Sequence, residues 1–288
     1  MRSLAEPPRM ALPQPELMNG CFETMRAYHG RIFRLADHLD RLQASAQFLG
    51  TRLPAPRWES SSEGSSARQA GLPAPPQALA RQLTQALKRS GLKEAIVRIA
   101  LMPQVRGPAM PSIVVAPVPL PPASAYRRGL HLAVVPARKF SVASINPESK
   151  YSARLGSILA VMDAQLRRVD EALFMDAMGS VTESTASNFG MVKHGELFTP
   201  PCWLGLLAGI TRDVLVELAK VQRIPIHEVP LTRHDLYNAD EAFLLSTIKE
   251  VMGVTRIDGR QIGSGHPGPM TKRLRQAFRQ LVEQELGH

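Results

Sequence analysis

Apolar residues recur along this chain with two distinct periods. Between residues 38 and 49, Leu39, Leu42, Ala46 and Leu49 stand three or four apart, and Leu79, Leu83 and Leu87 continue that period after an interruption. Spacing of this kind lines one face of a helix. Leu155, Ile158, Leu159, Met162 and Leu166 form another such face. Residues 211–222, with Val214, Leu215, Leu218 and Val221, and residues 271–286 read as amphipathic helices. Between them lie short runs rich in Ile, Val and Leu. Residues 95–102 and 112–116 read as buried strands, and 131–135, 172–175, 189–192, 224–229 and 242–245 as further strands. Strands interleaved with helices predict an α/β (α+β) fold.

Two stretches break the pattern. Residues 51–77 carry Pro54, Pro56, Pro73, Pro75, Pro76 and a serine-rich run at 60–66. Such composition buries too little apolar surface to offset the entropy of ordering, so it predicts a mobile insertion, with helix resuming at Ala78. The run Pro117-Val118-Pro119-Leu120-Pro121-Pro122 is the candidate linker between domains. It divides a small N-terminal domain, 1–118, from a large C-terminal domain, 119–288. No internal repeat is visible.

Composition narrows the function classes. Of 288 residues, 44% are hydrophobic and 21% charged, an ordinary globular balance. The longest apolar runs, such as 158–162 and 113–116, fall far short of the roughly 20 residues that span a bilayer. Residues 1–18 are proline-rich, hold Glu6 and Glu16, and have no continuous apolar segment, so no secretory signal is expected. The net charge is +10, but 35 Lys and Arg are scattered among 25 acidic residues and aromatics are only 5%. A basic stripe with interleaved aromatics is absent, which argues against a nucleic-acid partner and leaves anionic substrates. Two cysteines, Cys21 and Cys202, make neither a disulfide framework nor a cysteine-rich zinc site. No metal is expected, and a reduced, cytoplasmic compartment is the simplest reading.

Four places could carry chemistry. In Leu206-Leu207-Ala208-Gly209-Ile210-Thr211-Arg212 a glycine turn runs into a helix. The first N–H groups of a helix lack partners within it and suit a phosphate; the plainer reading is that Thr211 caps the helix. Glu183 follows the turn at Gly179, among small polar residues between strands. Lys150 stands just before a helix, ordinarily a solvated position; chemistry needs its amine desolvated or near other cations. His38 and Arg41, three apart, share a helix face, which is equally a surface salt-bridge face.

The order of these features resembles the class IV (fold type IV) aminotransferase family, which holds branched-chain and D-amino-acid aminotransferases and 4-amino-4-deoxychorismate lyases. The resemblance runs from about Gly20 to Phe278. It rests on GCFETMRAYHGRIFRLADHLDRLQASA (20–46), SKYSARLGSILAVMDAQ (149–165), DEALFMDAMGSVTESTASNFGMVKHGELFTPP (170–201), LLAGITRDVLVELA (206–219), ADEAFLLST (239–247) and GPMTKRL (268–274). It implies a two-domain enzyme that is a homodimer and binds pyridoxal 5′-phosphate. By the same resemblance Lys150 is the Schiff-base lysine, Glu183 pairs with the pyridine nitrogen, and Arg41, Ile210 and Thr211 hold the phosphate. Thr247 adds a phosphate or substrate-carboxylate contact, with Ser246 beside it. His38 supports the site indirectly. Phe22, Glu23 and Arg26 lie on the strand that lines the substrate pocket.

Two reactions remain. An aminotransferase moves an amino group between an amino acid and a 2-oxo acid; a 4-amino-4-deoxychorismate lyase releases pyruvate to form 4-aminobenzoate. Phe22-Glu23-Thr24 and Gly209-Ile210-Thr211-Arg212 are shared with the transaminases, and transamination is the favoured expectation. Arg154-Leu155 after the lysine and Gly20-Cys21-Phe22 resemble the lyases, which puts Arg154 in the substrate pocket. Arg98 and Arg106 are candidate carboxylate partners that align securely with neither pattern.

Overall fold

The computed structural model describes residues 20–53, 75–104, 107–137, 148–152 and 155–287. The first 117 residues contribute an antiparallel sheet of β1 (Cys21–Tyr28), β2 (Arg31–Ile32), β3 (Ala95–Met102) and β4 (Met110–Pro117), in the order β2-β1-β3-β4. Helices α1 (Leu35–Phe48) and α2 (Pro75–Ser90) cover it. Leu39, Leu42 and Ala46 of α1 and Leu79, Leu83 and Leu87 of α2 meet Met25, Val97, Ile99 and Leu101 in one core. Each large apolar side chain buried there contributes roughly 1.5–3 kcal/mol.

After α3 (Ala123–Arg128) comes a second, larger sheet. Its strands are β5 (Leu130–Val134), β6 (Glu171–Met175), β7 (Val181–Ser184), β8 (Asn188–Lys193), β9 (Glu196–Thr199), β10 (Ile226–Glu228), β11 (Glu241–Ser246), β12 (Glu250–Ile257) and β13 (Arg260–Gln261). The path runs β10-β9-β8-β11-β12-β5-β6-β7, and β7 also pairs with β8 through Glu183 and Asn188. Six strands therefore close into a ring. Alternation along each strand splits its side chains between two cores. Leu132, Leu173, Phe189, Leu244, Met252 and Val254 share one. Phe243, Leu245 and Val251 face outward, where α5 (Ile210–Val221) and α7 (Pro269–Leu286) pack Val214, Leu215, Leu218, Leu274 and Phe278 against them. The remaining helices are α4 (Leu155–Leu166) and α6 (Arg233–Tyr237).

Several expectations need correcting. Helix α2 starts at Pro75, not Ala78, because proline suits the first turn, where its missing N–H has no helical partner; residues 54–74 of the expected insertion lie outside the described residues. The strand at 112–116 is not buried: β4 is an edge strand with Met110 and Val114 exposed. The strand expected at 224–229 shortens to three residues. Glu183 is not between strands but within β7. The apolar face of α4 forms as a helix but points outward: Leu155, Ile158, Leu159 and Met162 are all more than half exposed, while Ala160 and Ala164 pack onto Ala172 and Phe174 of β6. No described helix is long and apolar enough to cross a membrane.

Candidate active site

A cavity of about 450 Å³ opens between β1 and β3 of the small sheet and the ends of β7, β8 and β11 of the large one. Of the residues expected at a site, Lys150, Arg41, Glu183, Ile210, Thr211, Thr247, Phe22 and Ser246 all line it.

Lys150 is brought there by backbone pairing. The Phe22 N–H donates to the Lys150 carbonyl (3.0 Å) and the Ser152 N–H to the Gly20 carbonyl (2.8 Å), so this short segment docks on β1. The Ser45 hydroxyl of α1 accepts from the Lys150 N–H at 3.0 Å. The side chain then reaches over the Phe22 ring, with Nζ 5.2 Å from the centroid; the Arg98 guanidinium stands 4.6 Å from that same ring. The amine is thus held against an aromatic wall, half-buried, with cations nearby.

One end of the cavity is a donor pole. Arg41 projects from α1 and donates Nε and Nη2 to Glu23 (2.7 and 2.9 Å) and Nη1 to the Ala208 carbonyl (2.6 Å). This two-pronged grip fixes the plane of the guanidinium. Glu23 is fully buried, which by itself raises a carboxyl pKa, yet the His38 hydrogen bond and the Arg41 charge hold it down at about 2. His38 donates Nδ1 to Glu23 at 2.8 Å. Burial, with Arg41 and Lys150 nearby, pushes the imidazole below its ordinary value and outweighs Glu23. We take the arrangement as a neutral His38 beside an ionised Glu23. Across from Arg41, α5 begins at Gly209, in extended conformation and making no side-chain cap. Thr211 therefore does not cap the helix; it sits within the first turn, where N–H groups have no earlier carbonyl to bond. Asp213 makes the first bond back, to Gly209 at 2.9 Å.

Opposite stands an acceptor pole. Glu183 Oε2 accepts from the Asn188 amide (3.0 Å) and the Leu207 N–H (3.2 Å), and Asn188 also donates to the Leu207 carbonyl at 2.8 Å. Asn188 joins the two poles. A Cβ on Gly209 would lie 1.8 Å from Asn188 Oδ1, so only glycine lets α5 start this close to the carboxylate's support.

Ser246 and Thr247 stand on the tight turn from β11 to β12. Arg26, expected in the substrate pocket, is elsewhere. It shares the face of Phe22 and Thr24 but lies further along β1, where Glu250 takes its Nη1 (2.9 Å) and Glu94 its Nη2 (3.3 Å). Period-two spacing gives the face, not how far the cavity extends along it. Arg154, like Arg106, lies outside the described residues.

Sequence reasoning set Glu23 on the pocket strand without a role of its own, and gave none to Asn188 or Gly209. For Glu23 a signal existed: it falls in phase with Cys21, Met25 and Ala27, and a charge in register with buried positions calls for a partner. Asn188 and Gly209 gave none, since each matters through the other.

The profile of the Amino-transferase class IV family matches residues 20–257. A putative branched-chain-amino-acid aminotransferase of Methanocaldococcus jannaschii is 35% identical over 91% of this chain and 87% of its own length. The branched-chain-amino-acid aminotransferase of Pseudomonas aeruginosa is 30% identical, over 91% and 84%. Among solved structures, the Thermoproteus uzoniensis branched-chain aminotransferase with norvaline superposes with a TM-score of 0.80 at 30% identity, covering 94% of this chain and 88% of that one. The Escherichia coli branched-chain amino acid aminotransferase gives 0.81 at 28%, covering 92% and 86%. A further branched-chain amino acid aminotransferase, solved with pyridoxamine 5′-phosphate, gives 0.81 at 28%, covering 92% and 85%. With the family profile spanning both sheets and every wall of the cavity, this chain is a member of the class IV aminotransferase family.

Proposed function

We propose that the cavity binds pyridoxal 5′-phosphate and that the protein transfers an amino group between an amino acid and a 2-oxo acid. The observation that carries this is the convergence of Lys150, Arg41, Glu183 and the start of α5 on one cavity. The donor set fits the cofactor's three chemistries. A dianionic phosphate needs a fork-shaped cation and helix-start amides, which Arg41, Ile210 and Thr211 offer. A protonated ring nitrogen needs a buried carboxylate, which is Glu183. An aldehyde needs an amine, which is Lys150.

Bound pyridoxal phosphate supplies a carbonyl that captures amines and a ring that takes up the electron pair left when a substrate Cα–H bond breaks. The chain's own residues do the rest. Lys150 Nζ holds the cofactor and carries the proton removed from the substrate Cα. Glu183, fixed by Asn188 and the Leu207 N–H, keeps a positive charge on the ring nitrogen. Arg41, aligned by Glu23, anchors the phosphate. Phe22 and Tyr151 exclude water, and Ser246, Thr247 and Arg98 offer hydroxyls and a cation to substrate carboxylates.

The relatives named above are aminotransferases, which supports transamination over the lyase reaction and makes branched-chain amino acids the first substrates to test. The domains divide near residue 118, in the proline run between β4 and α3. Leu155, Ile158, Leu159 and Met162 give α4 an apolar outer face suited to a second copy of this chain, in keeping with a homodimer; sedimentation of L159E as a monomer would support it. Two free cysteines accord with the cytoplasm. The deciding experiment incubates purified protein and pyridoxal phosphate with L- and D-amino acids. Conversion of the cofactor to its aminated form, with release of the matching 2-oxo acid, is expected; no conversion by any amino acid sinks the reading.

A further inference from the structure

An ion pair between Lys249 on the cavity wall and Glu171 behind it plays no part in the chemistry above. Glu171 opens β6 and is buried. Its Oε1 accepts from the Ser184 hydroxyl (2.6 Å) at the end of β7, and from the Thr185 hydroxyl (3.1 Å) and the Ala186 N–H (3.3 Å) in the turn between β7 and β8. Its Oε2 meets Lys249 Nζ, which comes from the turn between β11 and β12 and also lies 3.5 Å from the Ser187 hydroxyl. Lys249 is tied to its own turn as well, its N–H donating to the Ser246 hydroxyl at 3.2 Å.

One carboxylate therefore grips the tips of two turns. The first leaves Glu183 and returns at Asn188; the second carries Ser246 and Thr247. Their bases already touch, since Leu245 pairs with Asn188 across β11 and β8. Each turn is also closed on itself, the first by the Ser184 and Ser187 hydrogen bonds and the second by Lys249 N–H to Ser246, but none of these bonds ties one tip to the other. A cross-link at the tips does so.

We propose that the Glu171–Lys249 pair is a positioning clamp that fixes the two turns relative to each other, and so the Glu183 carboxylate relative to Thr247. The effect on the cofactor rests on the function proposed above; the clamp itself does not. Burial makes the pair tight. Three neutral donors serve Oε1, and Lys249 serves Oε2, so losing the lysine strands a charge among hydroxyls. The alternative is that Lys249 turns to a substrate carboxylate and Glu171 merely stores it.

The test uses the full chain with four variants: K249M, E171Q, the double variant, and K249R. Amide hydrogen exchange is followed over both turns, with and without pyridoxal phosphate. K249M is expected to speed exchange in 184–187 and 246–249 by about tenfold or more, with the β5 and β6 core unchanged. The double variant carries no stranded charge, and it too should exchange fast in both turns; it also serves if K249M fails to fold. K249R keeps the cross-link and should restore slow exchange. With cofactor bound, K249M should also shift the pH midpoint of the cofactor's visible absorbance, because the Glu183 carboxylate is less well placed. Wild-type exchange in the double variant overturns the clamp, leaving Lys249 as a counter-charge only. So does unchanged exchange in K249M with a rise in KM alone, which would mark a substrate-binding lysine. If the wild-type chain retains no pyridoxal phosphate, the proposed function fails, yet the exchange data still decide the clamp.

Discussion

At one end of the cavity, Arg41 and the first turn of α5 present N–H donors; at the other, Glu183 presents an acceptor set by Asn188 and the Leu207 N–H. The donor end is built on charge. Its arginine is oriented by a second buried charge, Glu23, so the pair orders itself before any ligand arrives. At the acceptor end two neutral groups, the Asn188 amide and the Leu207 N–H, hold Oε2 of the Glu183 carboxylate. The difference teaches how a protein can place two opposite charges in one small cavity: an ion pair fixes the plane of one, and amide dipoles fix an oxygen of the other.

The largest expected effect leaves both ends standing and removes the amine between them. Lys150→Ala should lower transamination on the order of 10³-fold or more while cofactor still binds through its phosphate; a borohydride-trappable adduct that persists on another lysine would refute the assignment. Glu183→Gln should separate the ends next. It keeps the shape and removes the charge, so we expect turnover to fall roughly 10²-fold with little change in cofactor affinity. An equal loss of affinity would show that the acceptor end, too, works by holding the cofactor.

Acid should weaken the donor end through Glu23. Glu23 has a folded pKa depressed from 4.5 to about 2. Its contribution is therefore fully present above about pH 4.5 and lost as pH falls towards 2, a swing of roughly 3 kcal/mol. Urea titrations through that window should show the decline, and Glu23→Gln should flatten it. Gly209→Ala tests the joint between the ends: a Cβ against Asn188 must push one aside, a strain of about 1–3 kcal/mol. Reduced cofactor retention and reduced turnover should appear together in that variant. The mildest change is Arg41→Lys. Charge survives but the fork does not, and phosphate affinity should drop about tenfold, read as a cofactor Kd.

Much of the fold was legible. Helices α5 and α7 bury most of the faces their spacing marks, because each has a sheet to pack on; Val221, at the end of the α5 face, is exposed. The face of α4 was legible too, but periodicity marks a side and not a partner, and that side points to solvent. Strands β7 and β12 were not foreseen. Val181-Thr182-Glu183-Ser184 is short and polar, held by its neighbours rather than by its own apolar pattern. The β12 strand follows β11 after only three residues and is buried on both faces, so no alternation shows. That Lys150, Arg41, Glu183, Ile210 and Thr211 would come together was legible through their order along the chain, and all five line the cavity. Arg26 does not line the cavity, because it is held by Glu250, 224 residues away. Glu171 and Lys249, 78 residues apart, are invisible as a pair until β6 and the β11–β12 turn are brought together.

The docking of residues 150–152 on β1 has a further consequence. Strand β2 pairs only with Ala27 and Tyr28, and among the described residues the start of that edge of β1, at residues 20–22, is covered by the segment that carries Lys150. An uncovered edge offers unpaired N–H and C=O groups to any passing strand. Were the lysine segment to lift away, the cavity would lose Lys150 and the sheet would gain an adhesive border in the same movement. Aggregation during cofactor-free storage would then track the opening of this segment, and ligands that keep Lys150 seated would act as preservatives of solubility.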